Sequence, residues 1–200
     1  VVARIIALRA RLTADGLDAG PVTIAAHLHR EGLRAPAAST IWRILTRAGL
    51  VTAQPRKRPR SSYLRFEADL PNECWQADFT HWPLADGADT EILSLLDDHS
   101  RYALSLTAHY AVTGPDVLAS FRAAINTHGI PAATLTDNGL VFTTRFVHGP
   151  NSFEQELATL GITQKNGRPS HPQTQGKVER FQQTLKKWLR AQPRATSLAA

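Results

Sequence analysis

Three carboxylates stand where their residue type is unusual for the local pattern. Asp78 falls in "ECWQADFTHW", which alternates between Gln76, Asp78 and Thr80 on one side and Trp75, Ala77 and Phe79 on the other. A period of two is a strand, and strands are poor in aspartate because a half-buried carboxylate needs partners. Asp137 opens Asp137-Asn138-Gly139 at the end of a short apolar run, and Glu179 is the sole acid after Glu156, set among Lys177, Arg180, Lys186, Lys187 and Arg190. Each has a plain local explanation. Asp-Asn-Gly builds turns in any protein, and a first-turn glutamate gains about 0.3–1 kcal/mol from the helix dipole. Taken together, in this order, they describe a site where strand ends bring acids into one place.

Charge is arranged around them. Residues 1–60 carry eleven Lys and Arg against three Asp and Glu, a net of +8. Residues 61–160 carry four against thirteen, a net of −9, and residues 161–200 carry eight against one, a net of +7. Basic flanks suit a polyanion gripped at its edges, and the acidic centre would repel it unless cations intervene. The 200 residues, 42% of them hydrophobic, can bury a core. No run approaches the roughly 18 apolar residues of a membrane span. A single cysteine, Cys74, excludes a disulfide framework and a zinc site built on paired cysteines. A cytoplasmic protein is the expectation. His81, His99, His109 and His171 share no metal-ligand spacing. A start at Val1 and the lack of methionine suggest a fragment or a trimmed translation, and eighteen arginines against five lysines fit a GC-rich genome.

The elements that must position the acids follow from periodicity. After the strand bearing Asp78, "EILSLLDDHSRYALSLTAHY" predicts a strand, a polar turn and a third strand with Tyr102, Leu104 and Leu106 inward. Asp97 and Asp98 read as turn builders. "GPDVLASFRAAINTHG" predicts an amphipathic helix with Val117, Leu118, Phe121 and Ile125 inward; a short strand then ends at Asp137. A second helix, a last strand and a final helix over 175–189 complete the order β-β-β-α-β-α-β-α, a mixed sheet flanked by helices. On the final helix Val178, Phe181, Leu185, Trp188 and Leu189 form the apolar stripe, with Glu179, Gln182, Gln183, Lys186 and Arg190 on another face.

Ahead of the strands, three short helical patterns occupy the first fifty residues. Val2, Ile5, Leu8 and Leu12 form one stripe; Gly20-Pro21 opens a second helix ending before Gly32; Ser39 or Thr40 caps a third ending at Gly49. Ile41, Ile44, Leu45 and Ala48 are its expected buried face, with Ser39, Arg43, Thr46 and Arg47 opposite. Two helices across a short turn with basic residues outward form either a DNA-reading helix-turn-helix or a plain three-helix bundle with solvated arginines. "QPRKRPRSS", with Arg56, Lys57, Arg58 and Arg60, has no apolar anchor and predicts a linker that can lie along phosphates.

"WQADFT", "LTDNG" and "HPQTQGKVERFQQTLK" resemble the three catalytic signatures of the DDE transposase and retroviral integrase superfamily, above all bacterial insertion-sequence transposases with an integrase catalytic core. The resemblance covers Asn72 to about Leu189, and the N-terminal helices and basic linker match the family arrangement. It implies an α/β fold: an RNase H-like mixed sheet of three antiparallel strands plus two further strands, flanked by helices and preceded by an all-α helix-turn-helix domain. The expected domains are 1–52 (helix-turn-helix), 53–70 (linker), 71–192 (catalytic core) and 193–200 (truncated tail). Asp78, Asp137 and Glu179 fall on the family's catalytic, metal-binding carboxylates, implying two Mg²⁺ (or Mn²⁺) ions, with Asp78 bridging both, Asp137 on one and Glu179 on the other. The implied reaction is metal-dependent 3′-end cleavage and strand transfer of an insertion sequence, with no covalent protein–DNA intermediate. Lys165, His171, Lys177, Lys186 and Arg190 join the N-terminal residues as expected DNA contacts. The implied partners are double-stranded DNA (element ends and target) and further copies of the chain, in a nucleoid-associated setting. The 41 residues between Asp137 and Glu179 exceed the common spacing, with the excess expected around "TTRFVHGPNSF". A nuclease of this fold without strand transfer, or a helix-turn-helix regulator with an inactive core, are the alternatives.

Overall fold

The computed structural model describes residues 1–52, 68–144, 149–166 and 176–199. The chain divides into two compact units, Val1–Tyr63 with Thr184–Pro193 and Leu64–Gln183 with Arg194–Ala200.

The first unit holds α1 (Val2–Ala14), α2 (Pro21–Arg30) and α3 (Ala38–Arg47). Pro21 suits the start of α2, where its missing N–H would have no helical acceptor and its fixed φ is already helical. Gly32 follows the helix at φ 72°, a conformation that costs other residues roughly 1–2 kcal/mol. Ile5, Leu8, Leu12, Ile24, Leu28, Ile41 and Leu45 form the core. The expected stripes are too long by one residue each: Val2 and Ala48 sit at the chain ends of theirs and are exposed. The cap of α3 is also corrected. Ala37 is the N-cap and makes no side-chain cap bond, while Thr40 lies inside the first turn and its hydroxyl accepts from Arg43 instead.

The second unit is built on a sheet. β1 (Cys74–Pro83), β2 (Asp89–Asp97) and β3 (Ala103–His109) form an antiparallel meander. After α4 (Gly114–His128) come β4 (Ala133–Thr136), α5 (Ser152–Thr159), β5 (Thr163–Asn166) and α6 (Gly176–Ala191). β4 runs parallel to β1, and β5 parallel to β4, giving the order β3-β2-β1-β4-β5. Capping boxes start the two helices between strands: Thr113 with Asp116 on α4, and Asn151 with Glu154 on α5.

Strand parity divides the sheet into two unlike faces. Trp75, Ala77 and Phe79, with Leu93 and Leu95 opposite them on β2, meet Val117 and Phe121 of α4 and Phe153 and Leu157 of α5. Phe121 is the hinge of this core, edge-on to Trp75 at 5.7 Å and to Phe153 at 5.2 Å. The other face carries Gln76, Asp78 and Thr80. Tyr102 and Leu106 were expected inward and are exposed. For Leu106 the cause is a register shift between Leu95 and Leu96, which pair with Ser105 and Ala103 and leave Leu104 as an extra residue; Tyr102 precedes β3 and lies edge-on to the His128 ring. Beyond that bulge Thr107 takes the core side and meets the Ser120 hydroxyl of α4 at 3.1 Å.

The stripe on α6 is likewise corrected. Its buried residues are Val178 and Gln182; Phe181, Leu185 and Leu189 are half-buried, and Trp188 is 41% exposed. Gln182 was expected outward beside Glu179. It turns inward because the floor it meets is polar.

Phe121→Ala is expected to lower stability by about 3–5 kcal/mol, as aromatic truncations in closed cores do. Urea unfolding followed by tryptophan fluorescence measures the loss.

Candidate active site

Asp78 sits in the middle of β1 on the polar face. Its Oδ1 accepts from the Phe79 N–H at 2.8 Å and its Oδ2 from Gln182 Nε2 at 3.0 Å. Burial pushes its pKa up to about 6, and repulsion from Asp137 and from Glu179 adds to the rise; the two hydrogen bonds oppose it without cancelling it. Both acids singled out in the sequence therefore act on the third. Directly across the β1–β2 pair from Asp78, Ser94 is fully buried, and its hydroxyl has no hydrogen-bond partner among the described residues.

Asp137 follows the last residue of β4. Its Oδ1 accepts from Gly139 N at 2.8 Å, and its carbonyl accepts from Asn166 Nδ2 at 3.3 Å. A Cβ at Gly139 would stand 2.9 Å from Asp137 Oδ1, so a side chain there would push the carboxylate aside. The turn and the site acid are thus one feature, since the Asp-Asn-Gly turn holds the carboxylate beside the strand end. Glu179 lies exposed in the first turn of α6. Among the described residues no group of three or more His, Cys, Asp or Glu stands close enough to hold a metal ion, so the three acids meet here through charge rather than as a closed ligand cage.

The donor set nevertheless suits a hard cation. Three carboxylates are oxygen ligands of the kind Mg²⁺ takes. The central one has its pKa raised by burial and like charge, and a buried hydroxyl beside it lacks a partner among the described residues. A divalent ion would reverse the sign of that local field.

The expected DNA contacts are distributed unevenly. Ser39, Arg43 and Arg47 are exposed on α3, although Arg43 leans back on its own helix, reaching the Ser39 carbonyl at 3.4 Å and the Thr40 hydroxyl at 3.2 Å. Trp42, half exposed on the same helix, was not singled out by the sequence pattern. Lys165 is exposed on β5, in register with Leu135 and so with Gln76. Arg190 is exposed and Lys186 half-buried on α6. Lys177 is withdrawn into an ion pair with Asp98, Nζ to Oδ2 at 2.6 Å. Arg56, Lys57, Arg58, Arg60 and His171 lie outside the described residues.

Sequence reasoning missed Gln76, Asp98 and Gln182. Asp97 alone builds the turn after β2, accepting from Ser100 N, Ser100 Oγ and Asn72 N; these donors outweigh burial and hold its pKa below the usual carboxylate value. Asp98 instead goes fully inside. The available signal for Gln76 was parity: it shares a strand face with Asp78, two residues away.

This sheet, with helices on both sides of its last two strands in sequence, is an integrase-core fold. A chain of the simian T-cell lymphotropic virus intasome, solved in complex with PP2A regulatory subunit B56 gamma, superposes with a TM-score of 0.54 over 84% of this chain and 55% of its own, at 24% identity. The integrase core domain family model matches residues 68–172, and a second integrase core domain model matches 160–200. The chain belongs to the integrase core domain family. It is 29% identical over 157 residues to an uncharacterized 31.7 kDa protein of insertion element IS407 from Burkholderia multivorans, covering 77% of this chain and 54% of that protein. It is 35% identical over 120 residues to the Gag-Pol polyprotein of Rous sarcoma virus subgroup C, covering 60% of this chain and 7% of the polyprotein. The chain thus spans about half of the first relative and a small part of the second.

The raised pKa of Asp78 has a definite sign in stability. Between its ordinary 3.8 and about 6 the folded chain binds the proton more tightly than the unfolded chain does. Its contribution is present below the ordinary value and is lost as pH rises through about 6. In metal-free buffer Asp78→Asn is therefore expected to be more stable than the wild type near pH 8, by up to about 3 kcal/mol, with the gap closing toward pH ~4. Urea unfolding across that range checks it; a gap that does not change with pH would contradict the assignment.

Proposed function

We propose that this chain is the catalytic part of a DNA transposase that cuts the 3′ ends of an insertion sequence and joins them to target DNA. The observation that carries the reading is Asp78, half-buried on an inner strand, hydrogen-bonded to Gln182 of α6, with its pKa raised by burial and by Asp137 and Glu179. Asp78, Asp137 and Glu179 would hold Mg²⁺ or Mn²⁺, two ions in all. Bound there, the metal supplies neutralisation of the charge that builds on the phosphoryl oxygens and alignment of the attacking and leaving oxygens.

The chain's own groups do the rest. Gln182 and the Phe79 N–H fix the rotamer of Asp78, and the Gly139 N–H fixes Asp137, so the oxygens are oriented before any ligand arrives. In the first step a water oxygen bonds to phosphorus and a 3′-hydroxyl leaves. In the second, that hydroxyl attacks a target phosphodiester and displaces the target's 3′ oxygen. Lys165, Lys186 and Arg190 hold phosphates, an attraction that weakens with salt. α2, the turn after it and α3 act as a helix-turn-helix, with Ser39, Arg43 and Arg47 toward DNA; the basic segment within 53–70 and His171 add backbone contacts. Pairing of two DNA ends calls for more than one copy of the chain. No described helix is long and apolar enough to cross a membrane.

The test is cleavage and joining of duplex DNA carrying the element's terminal sequences, with Mg²⁺, for the wild type and Glu179→Gln. Glu179→Gln is expected to bind DNA as the wild type does and to lose at least roughly 100-fold in cleavage, the upper end of what groups one layer farther from a metal cost. Equal activity in the two would remove Glu179 from the site, and cleavage without joining would make the protein a nuclease. Lys186→Ala is expected to weaken binding of all sequences alike and to reduce the slope of log affinity against log salt by about 1.

A further inference from the structure

We propose that Lys177, Asp98 and Gln76 form a latch that sets where Glu179 stands relative to Asp78, acting as positioning residues for the carboxylate site. The inference rests on the reading of Asp78, Asp137 and Glu179 as that site.

Asp98 is fully buried. A carboxylate is held in such a place only when its charge and lone pairs are met. Its Oδ2 accepts from Lys177 Nζ at 2.6 Å and from Ala68 N at 2.6 Å, and its Oδ1 accepts from Gln76 Nε2 at 2.6 Å. Lys177 Nζ also donates to the Asp98 carbonyl at 2.7 Å, so one residue fixes the ammonium at two points. Gln76, itself fully buried, turns its other end to α6, where its Oε1 accepts from Val178 N at 3.1 Å. That N–H belongs to the first turn of α6, where the helix has no carbonyl of its own to offer. β1 supplies the missing acceptor.

The consequence is geometric. Glu179 is the next residue after Val178. On one side of it, Lys177 and Val178 are bonded to Asp98 and Gln76; three residues farther on, Gln182 is bonded to Asp78. The helical turn that carries Glu179 is therefore tied at both ends to two positions of one strand, on one face, two residues apart. The turn cannot shift without breaking bonds to buried groups that have been desolvated to make them. Lys177, expected from the sequence on DNA phosphates, has a side chain only 14% exposed. Its role is inward. A plain stabilising ion pair would make a different prediction, because its loss would loosen the whole unit rather than this turn and the metal affinity.

The test uses the full chain with Lys177→Met and with Lys177→Arg, which keeps charge and donors. Amide exchange is followed by mass spectrometry, and Mn²⁺ binding by calorimetry. For Lys177→Met, exchange in 176–183 is expected to quicken about tenfold while α4 and the helices of 1–52 keep their wild-type rates. The Mn²⁺ Kd is expected to rise about 10–100-fold, with Lys177→Arg recovering most of it. Unchanged exchange and unchanged Kd in Lys177→Met overturn the latch. So does faster exchange spread evenly over β1–β5 and α4, which marks general destabilisation. If Lys177→Met does not fold, Lys177→Gln, which keeps a donor for Asp98, is judged by the same two criteria. A wild type that binds no Mn²⁺ sinks the carboxylate reading instead, and the exchange pattern alone then decides the latch.

Discussion

A carboxylate on the inner strand of a sheet cannot retreat from its surroundings, and the second unit is arranged around that constraint at Asp78. β1 is paired with β2 on one side and β4 on the other, so its backbone has no freedom to carry the side chain toward water. Ionising Asp78 in that place is unfavourable by roughly 3 kcal/mol, given a pKa near 6 in place of 3.8. The opposite face of the same strand makes this tolerable. Trp75, Phe121, Phe142 and Phe153 are fully buried there, each worth about 1.5–3 kcal/mol. One strand thus joins a large apolar gain on one side to a deliberate electrostatic deficit on the other.

The deficit is specific, as the two aspartates of the polar face make clear. Asp98 is more deeply buried than Asp78 and yet has a cation, Lys177, at 2.6 Å. Asp78 has a neutral amide, a backbone N–H and two acids acting on it. The chain places a lysine against the buried carboxylate of Asp98 on this face. At Asp78 it places Gln182, which satisfies a lone pair without supplying charge, and among the described residues no cation pairs with the carboxylate.

Much of this was legible in the sequence. The alternation around Asp78 placed Gln76 and Thr80 with it, the Asp-Asn-Gly turn located the end of β4, and the scarcity of acids after Glu156 singled out Glu179. What stayed hidden depends on partners far away in the chain. Lys177 lies 79 residues from Asp98 and Gln182 lies 104 from Asp78, so no local pattern links them. The stripe on α6 was misread for a related reason. Reading a helix by its apolar residues assumes an apolar floor, and here the floor under the first turns is Gln76 and Asp78, so a glutamine is buried. At Leu106 the fault was one of counting, because a single extra residue at Leu104 reverses which of the following side chains face inward.

The acidic centre of the chain also takes on a narrower meaning. Its negative charge looked like a field that would repel a polyanion, but most of these carboxylates are committed to local work. Asp116 and Glu154 cap helices, Asp97 builds a turn, and Glu91 accepts from the Val112 N–H. Glu156 pairs with Arg122, and Asp98 with Lys177. Charges matched at hydrogen-bond distance project little field into solvent at physiological salt, where screening sets in within about 8 Å. What stands apart from these commitments is a small group, Asp78 with Asp137 and Glu179, in which the hydrogen bonds from Phe79 and Gln182 only partly offset the repulsion felt by Asp78. On the proposed reading, a cation that answers that repulsion would sit where a phosphate would also be bound, and the same imbalance that weakens the unliganded fold would then favour a ternary assembly of protein, metal and DNA.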